Sequence, residues 1–176
     1  GAVLVGLGDA AAVRDGFARI VANVAKAKPG LKLDGMLVAQ QISGGTELAL
    51  GIANDPEVGP VVMFGGGGTA LELYGDVAFA APTLDAPRAA ALVNRTRAAK
   101  LLDGWRRQPA QDRAAVEAAL VALGRMARDL GDMIEAVDIN PFVARAAGEG
   151  GVALDALVVV RGRQGDGKST SGKADK

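Results

Sequence analysis

The 176 residues contain no cysteine and no histidine. Without cysteine there are no disulfides, no thiolate metal ligands and no thiol nucleophile, a composition that fits a reducing, cytoplasmic setting. Without histidine the chain itself cannot supply a Ser-His-Asp triad, a histidine-ligated zinc or an imidazole proton relay. Aromatics are 3% of the residues, with one tryptophan and one tyrosine, and no basic run is interleaved with them. Twenty basic residues cancel twenty acidic ones, so no net field draws in nucleic acid or an anionic membrane. Long apolar runs are missing as well. Ala2-Val-Leu-Val5 is followed at once by Gly6, Gly8 and Asp9, which suits neither a membrane span nor a signal peptide. The chain opens on this strand-like run without a methionine, and it is expected to be an excised piece of a longer polypeptide. No internal repeat is visible, and the length suits one domain with a real core.

What is present alternates strand-like and helical patterns. Ala2 to Leu7 reads as a strand. Asp9 then caps a helix whose Val13, Phe17, Ile20, Val21 and Val24 recur at helical spacing, and Pro29-Gly30 ends it. Gly35 to Gln41 is the next strand, turning at Ser43-Gly44-Gly45 into Thr46 to Ile52, where Glu47 and Ala49 face away from Leu48 and Leu50. A loop from Asn54 to Pro60 leads into a strand through Phe64. Thr69 to Tyr74 and Val77 to Phe79 read as further strands about a Gly75-Asp76 turn. Asp85-Ala-Pro87 starts a helix that runs on to Leu102. Pro109 opens another, whose stripe of Val116, Leu120, Leu123, Ala127 and Leu130 packs against the sheet. Residues 161–176 are too polar to stay ordered and read as a disordered tail.

Two stretches carry candidate chemistry. In Glu135 to Phe142, Val137 and Ile139 alternate with Asp138 and Asn140, giving a half-buried strand with a polar edge. Pro141 limits its ladder, and Val152 to Val160 supplies a second apolar strand holding a single carboxylate, Asp155. An amide oxygen and a carboxylate from neighbouring strands are hard donors that suit magnesium carrying substrate phosphates. The same two residues read equally as a turn cap and an exposed edge acid. The other stretch is Gly65-Gly-Gly-Gly68. It lets backbone amides approach a phosphate or thioester carbonyl, yet it lacks the Gly-Lys-Ser/Thr of a P-loop, and a flexible hairpin connection explains it as well.

Several motifs then succeed one another in a familiar order. They are Val38-Ala-Gln-Gln-Ile-Ser-Gly-Gly-Thr-Glu-Leu-Ala-Leu-Gly51, Asp55-Pro56, Gly59-Pro-Val-Val-Met-Phe-Gly-Gly-Gly-Gly68, Glu72, and Asp76-Val-Ala-Phe79. Leu101-Leu-Asp-Gly-Trp-Arg106, Asp138-Ile-Asn-Pro141 and Leu154-Asp-Ala156 follow. In this register residues 2 to 160 resemble the carboxy-terminal part of the ATP-grasp module of the NDP-forming acyl-CoA synthetases, the part shared with the succinyl-CoA synthetase beta subunit. The resemblance implies an α+β (α/β) lobe over residues 1–160, with a mixed, mainly antiparallel sheet and packed helices.

It also implies a role for each matching residue. Asn140 and Asp155 correspond to the magnesium ligands, and Gln40 and Gln41 to the segment that meets adenine. Glu47 matches the acid on the nucleotide side of the site. Gly65, Gly66, Gly67 and Gly68 match the loop that approaches the transferred phosphoryl group, and Asp138 an acid near the phosphohistidine. The implied activity is an acid-thiol ligase: acid, coenzyme A and ATP give acyl-CoA, ADP and phosphate through an acyl phosphate and a phosphohistidine. Since this chain has no histidine, the relay residue and most of the coenzyme A site are expected on a partner domain or subunit. Gln41 stands where the family commonly has glutamate, and Ala80 where arginine is frequent. A grasp lobe that has become a nucleotide sensor or docking module is the alternative.

Overall fold

The computed structural model describes residues 1–68, 75–105 and 108–161. The expected strand at Thr69 to Tyr74, the residue Glu72 within it and the expected tail beyond Arg161 lie outside the described residues. The chain divides into two compact units, Gly1–Gly44 and Gly45–Lys176.

In the first unit, α1 spans Ala10–Ala27. Asp9 caps it, its Oδ1 accepting from the Ala12 N–H at 2.8 Å, and the Lys28 N–H closes the far end on the Val24 carbonyl. The segment before it lies along the helix. Asn23 Nδ2 donates to the Gly1 carbonyl at 3.0 Å, and Leu4 and Leu7 pack over Gly16, the helix's one buried residue. Ala2 to Leu7 and Gly35 to Gln41 are not strands, contrary to their pattern. A ladder requires a partner for every second pair of backbone groups; the first segment packs on a helix instead, and the Gly6 N–H is taken by the Gln41 side chain at 2.9 Å.

The second unit is a six-stranded sheet with helices on one face. β1 (Thr46–Asp55), β2 (Gly59–Gly66), β3 (Val77–Ala80), β4 (Ile134–Ala144) and β5 (Gly151–Ala153) run in the order β3-β2-β1-β4-β5, and β6 (Ala156–Val160) also pairs with β4. All the described pairings are antiparallel. Leu48, Leu50 and Ile52 of β1, Val62 and Phe64 of β2, and Val137 and Phe142 of β4 point into the core, where they meet the helices. The helices are α2 (Ala86–Asn94), α3 (Ala98–Leu102) and α4 (Arg113–Leu130). Their apolar stripes bury Leu92, Leu102, Val116 and Leu120 almost completely.

Several expected boundaries move for local reasons. The helix expected to reach Leu102 breaks after Asn94, because the buried Thr96 hydroxyl turns back to the Val93 carbonyl at 2.9 Å. Pro109 does not open α4. Residues 110–112 pair with 145–147 through the Gln111–Ala146 bridge, and Asp112 is the cap. The apolar run through Asp155 splits into β5 and β6 at Leu154-Asp155. Finally, β4 continues through Pro141 to Ala144. The proline's missing donor falls where the β1 register slips between Leu48 and Leu50, and its carbonyl still accepts from the Leu154 N–H at 3.0 Å.

Candidate functional site

The face of the sheet away from the helices collects the polar candidates. Since Leu48 and Leu50 point to the core, Glu47, Ala49 and Gly51 point the other way. By the same alternation, Val137 and Ile139 leave Asp138 and Asn140 on that second face. Gly65 pairs with Ala49, and Gly67 follows as its N–H donates to the Glu47 carbonyl at 3.0 Å.

Strand register brings Asp155 toward Asn140. Ile139 faces Ala156 on β6, and Phe142 faces Ala153 on β5. Between these pairs lie Asn140-Pro141 on β4 and Leu154-Asp155 in the gap between β5 and β6, tied by the Leu154 N–H donating to the Pro141 carbonyl at 3.0 Å, so Asn140 and Asp155 fall in adjoining stretches of chain. Asn140 lies within a strand, so its reading as a turn cap is removed; Asp155 is exposed between two strands. Glu47 and Asp138 are also exposed. Among the described residues the three ion pairs draw their cations from Arg113 and Arg145 only, and Glu47, Asp138 and Asp155 thus carry no ion-pair partner among those residues.

The ATP-grasp domain family matches residues 1–160. The chain belongs to that family. It is 39% identical over 160 residues to a trans-feruloyl-CoA synthase from an unknown prokaryotic organism, an alignment covering 91% of this chain and 22% of that protein. It is 31% identical to the beta subunit of acetate–CoA ligase (ADP-forming) II of Pyrococcus furiosus, over 80% of this chain and 59% of the subunit. The chain thus spans about a fifth of the first relative and just over half of the second. Among solved structures it is similar to the dinucleotide forming acetyl-coenzyme A synthetase 1 of Ca. Korarchaeum cryptofilum. A complex of that protein with coenzyme A, acetyl-coenzyme A and a phosphorylated phosphohistidine segment gives a TM-score of 0.77 at 34% identity, covering 90% of this chain and 69% of that one. Its complex with coenzyme A and Mg-AMPPCP gives 0.75 at 32% identity.

In this ATP-grasp chain the glycine run has a structural explanation that its sequence did not reveal. A Cβ on Gly65 would lie 2.6 Å from the Asp76 carbonyl oxygen, and one on Gly67 would lie 2.7 Å from the Leu48 nitrogen. Both glycines are required by close backbone approach. The Gly66 and Gly67 N–H groups donate to the Asp76 and Glu47 carbonyls, so neither is idle. Gly68, at φ +57° beside the Glu47 carboxylate, ends the run in a turn.

Gln40 and Gln41 belong to the first unit, where Gln41 accepts from Gly6. That unit also has an apolar groove of about 290 Å³ lined by residues such as Phe17, Val21, Leu31, Leu33 and Met36, with no charged side chain among its lining residues. Among the described residues no three acidic side chains converge to hold a metal by themselves. An amide and one acid, completed by phosphate oxygens and water, is nevertheless a donor set that magnesium accepts. No described helix is long and apolar enough to cross a membrane.

Proposed function

We propose that this chain is the carboxy-terminal part of the ATP-grasp module of an NDP-forming acyl-CoA synthetase, which joins an acid to coenzyme A with conversion of ATP to ADP and phosphate. What supports this reading is that the β4 pairings with β5 and β6 bring Asn140 and Asp155 into adjoining stretches of the sheet that also carries Glu47 and Asp138. The likeness to acyl-CoA ligases over most of the chain agrees with it.

Phosphoryl transfer asks the protein chiefly for positioning and charge compensation. Asn140 and Asp155 would hold the magnesium ion, and when bound it would neutralise the phosphate oxygens. Glu47 orients the nucleotide on the same sheet, and Gln40 and Gln41 supply the adenine contact. Gln41 keeps the acceptor oxygen of the glutamate common in the family and adds a donor. Asp138 lies where an incoming phosphohistidine would be steered. With the Gly66 and Gly67 amides already bonded, the glycine run serves by its lack of side chains, leaving room for the reacting groups. A partner domain or subunit supplies the histidine and binds most of the coenzyme A, and the protein works in the cytoplasm.

The test is transfer of label from γ-labelled ATP to the histidine-bearing domain in the full-length protein, with magnesium titrated. Asn140→Ala and Asp155→Ala are each expected to cut the rate at least tenfold and to raise the magnesium concentration needed for half-maximal transfer. An unchanged magnesium requirement in both variants would remove these residues from the metal site.

A further inference from the structure

Asp76 is the one residue of the Gly75-Asp76 turn with both its side chain and its backbone committed. Its main-chain carbonyl accepts from the Gly66 N–H at 3.2 Å. Its carboxylate reaches in the other direction: Oδ1 accepts from the Arg97 N–H and Oδ2 from the Ala98 N–H, both at 2.9 Å. These donors open α3, whose N-cap position is held by Arg97 and has no side-chain cap of its own. An arginine has no acceptor to offer, so the helix takes its cap from a residue 21 positions earlier. Helix α3 is itself anchored, with Ala98, Ala99 and Leu102 buried in the core.

We propose that Asp76 is a positioning residue for the phosphoryl-transfer site, fixing the end of the glycine strand against the rigid start of α3. The proposal rests on the reading of Gly65 to Gly68 as the loop beside the transferred group. Loss of the carboxylate orphans the two α3 donors. The Asp76 backbone is then free to relax, and the Gly66 N–H loses a fixed acceptor. Gly67 and Gly68 would drift relative to Glu47, and small misplacements of reacting groups are expensive in rate.

Asp76→Ala and Asp76→Asn are compared in the full-length protein with Asp112→Ala, which removes another helix-capping carboxylate, the one on α4. Amide hydrogen exchange of the peptide containing Gly65 to Gly68 is measured together with kcat and KM for ATP. Asp76→Ala is expected to speed exchange in that peptide at least tenfold and to lower kcat at least fivefold with little change in KM. Asp76→Asn, which keeps one acceptor, should fall between it and the wild type, and it carries the test if the alanine variant does not fold. Asp112→Ala should lower stability and leave both readouts near wild type. Unchanged exchange at Gly65 to Gly68 in the Asp76 variants, or an equal kcat loss in Asp112→Ala, would overturn the proposal. A wild-type protein that transfers no phosphoryl group would instead defeat the functional reading, and the exchange result would still decide whether Asp76 holds the glycine strand.

Discussion

Alanine at Gly67 offers the sharpest test of why four glycines stand in a row. Its Cβ would lie 2.7 Å from the Leu48 nitrogen and 2.8 Å from the Glu47 carbonyl carbon, both main-chain atoms of β1. Neither atom can rotate away. Ordinary contact at about 3.4 Å requires the strands to part locally by roughly 0.7 Å. That movement stretches the Gly67–Glu47 hydrogen bond, now 3.0 Å, out of useful range. Overpacking of this kind costs about 1–3 kcal/mol, and the lost bond adds about 1 kcal/mol, so Gly67→Ala should destabilise by about 2–4 kcal/mol. Gly68→Ala is a contrasting neighbour. There the nearest atom is the movable Glu47 Oε2 at 3.0 Å, and the burden is the positive φ of +57°, worth about 1–2 kcal/mol. Urea unfolding of the chain, followed by far-ultraviolet circular dichroism and by its single tryptophan, would read both. With a urea slope of about 2 kcal/mol per molar, the midpoint should fall by roughly 1–2 M for Gly67→Ala and by about half that or less for Gly68→Ala. A Gly67→Ala protein as stable as wild type, but impaired in nucleotide binding, would refute the steric account and return the glycine to ligand contact.

Two further outcomes follow from the helical layer and its caps. Arg113 joins three elements: its guanidinium donates to Glu117, to Asp103 and to Asn94 at 2.9, 3.1 and 2.6 Å. Burial by itself would lower its pKa, but the hydrogen bonds and charges of Glu117 and Asp103 together raise it, so Arg113→Ala should cost about 1–2 kcal/mol in urea unfolding, and an unchanged midpoint would show the hub to be dispensable. Asp112 has its carboxyl pKa lowered chiefly by the Ala115 N–H and then by the Gly150 N–H, against a smaller opposing effect of burial. Its contribution is therefore complete above the ordinary carboxylate range and is lost as pH falls through the depressed folded value; Asp112→Asn should flatten this part of the acid limb, and an unaltered pH profile of stability would refute it.

How far the residues alone foretold this molecule can be followed element by element. The Thr46 to Ile52 strand, the Pro60 to Phe64 strand and the stripe of Val116, Leu120, Leu123 and Ala127 were legible because their apolar periods match the secondary structure that buries them, whereas Leu130, expected in the same stripe, is 40% exposed at the helix end. The Asp9 cap was legible because the first turn of a helix needs a local acceptor. Ala2 to Leu7 misled because an apolar alternation states only that a segment has two faces, and here a helix, not a strand, covers one of them. The break at Thr96 and the remote cap from Asp76 were hidden because each depends on a hydrogen bond whose value is set by burial or by a partner distant in sequence.

The same division holds at the candidate site. Composition by itself removed thiol and imidazole chemistry, since a chain without cysteine or histidine has no atoms for it. Motif order pointed to Asn140 and Asp155 as metal ligands, to Glu47 as the acid on the nucleotide side and to Asp138 as an acid near the phosphohistidine. That Asn140 and Asp155 come into adjoining stretches was decided only by the folded sheet: it follows from the registers of β4 with β5 and β6 on either side of them, and a change of register would have separated them. The glycines show the converse. Their number is plain in the chain, but the reason for Gly65 and Gly67 is the nearness of main-chain atoms on β1 and before β3, a distance that exists only after the sheet has formed.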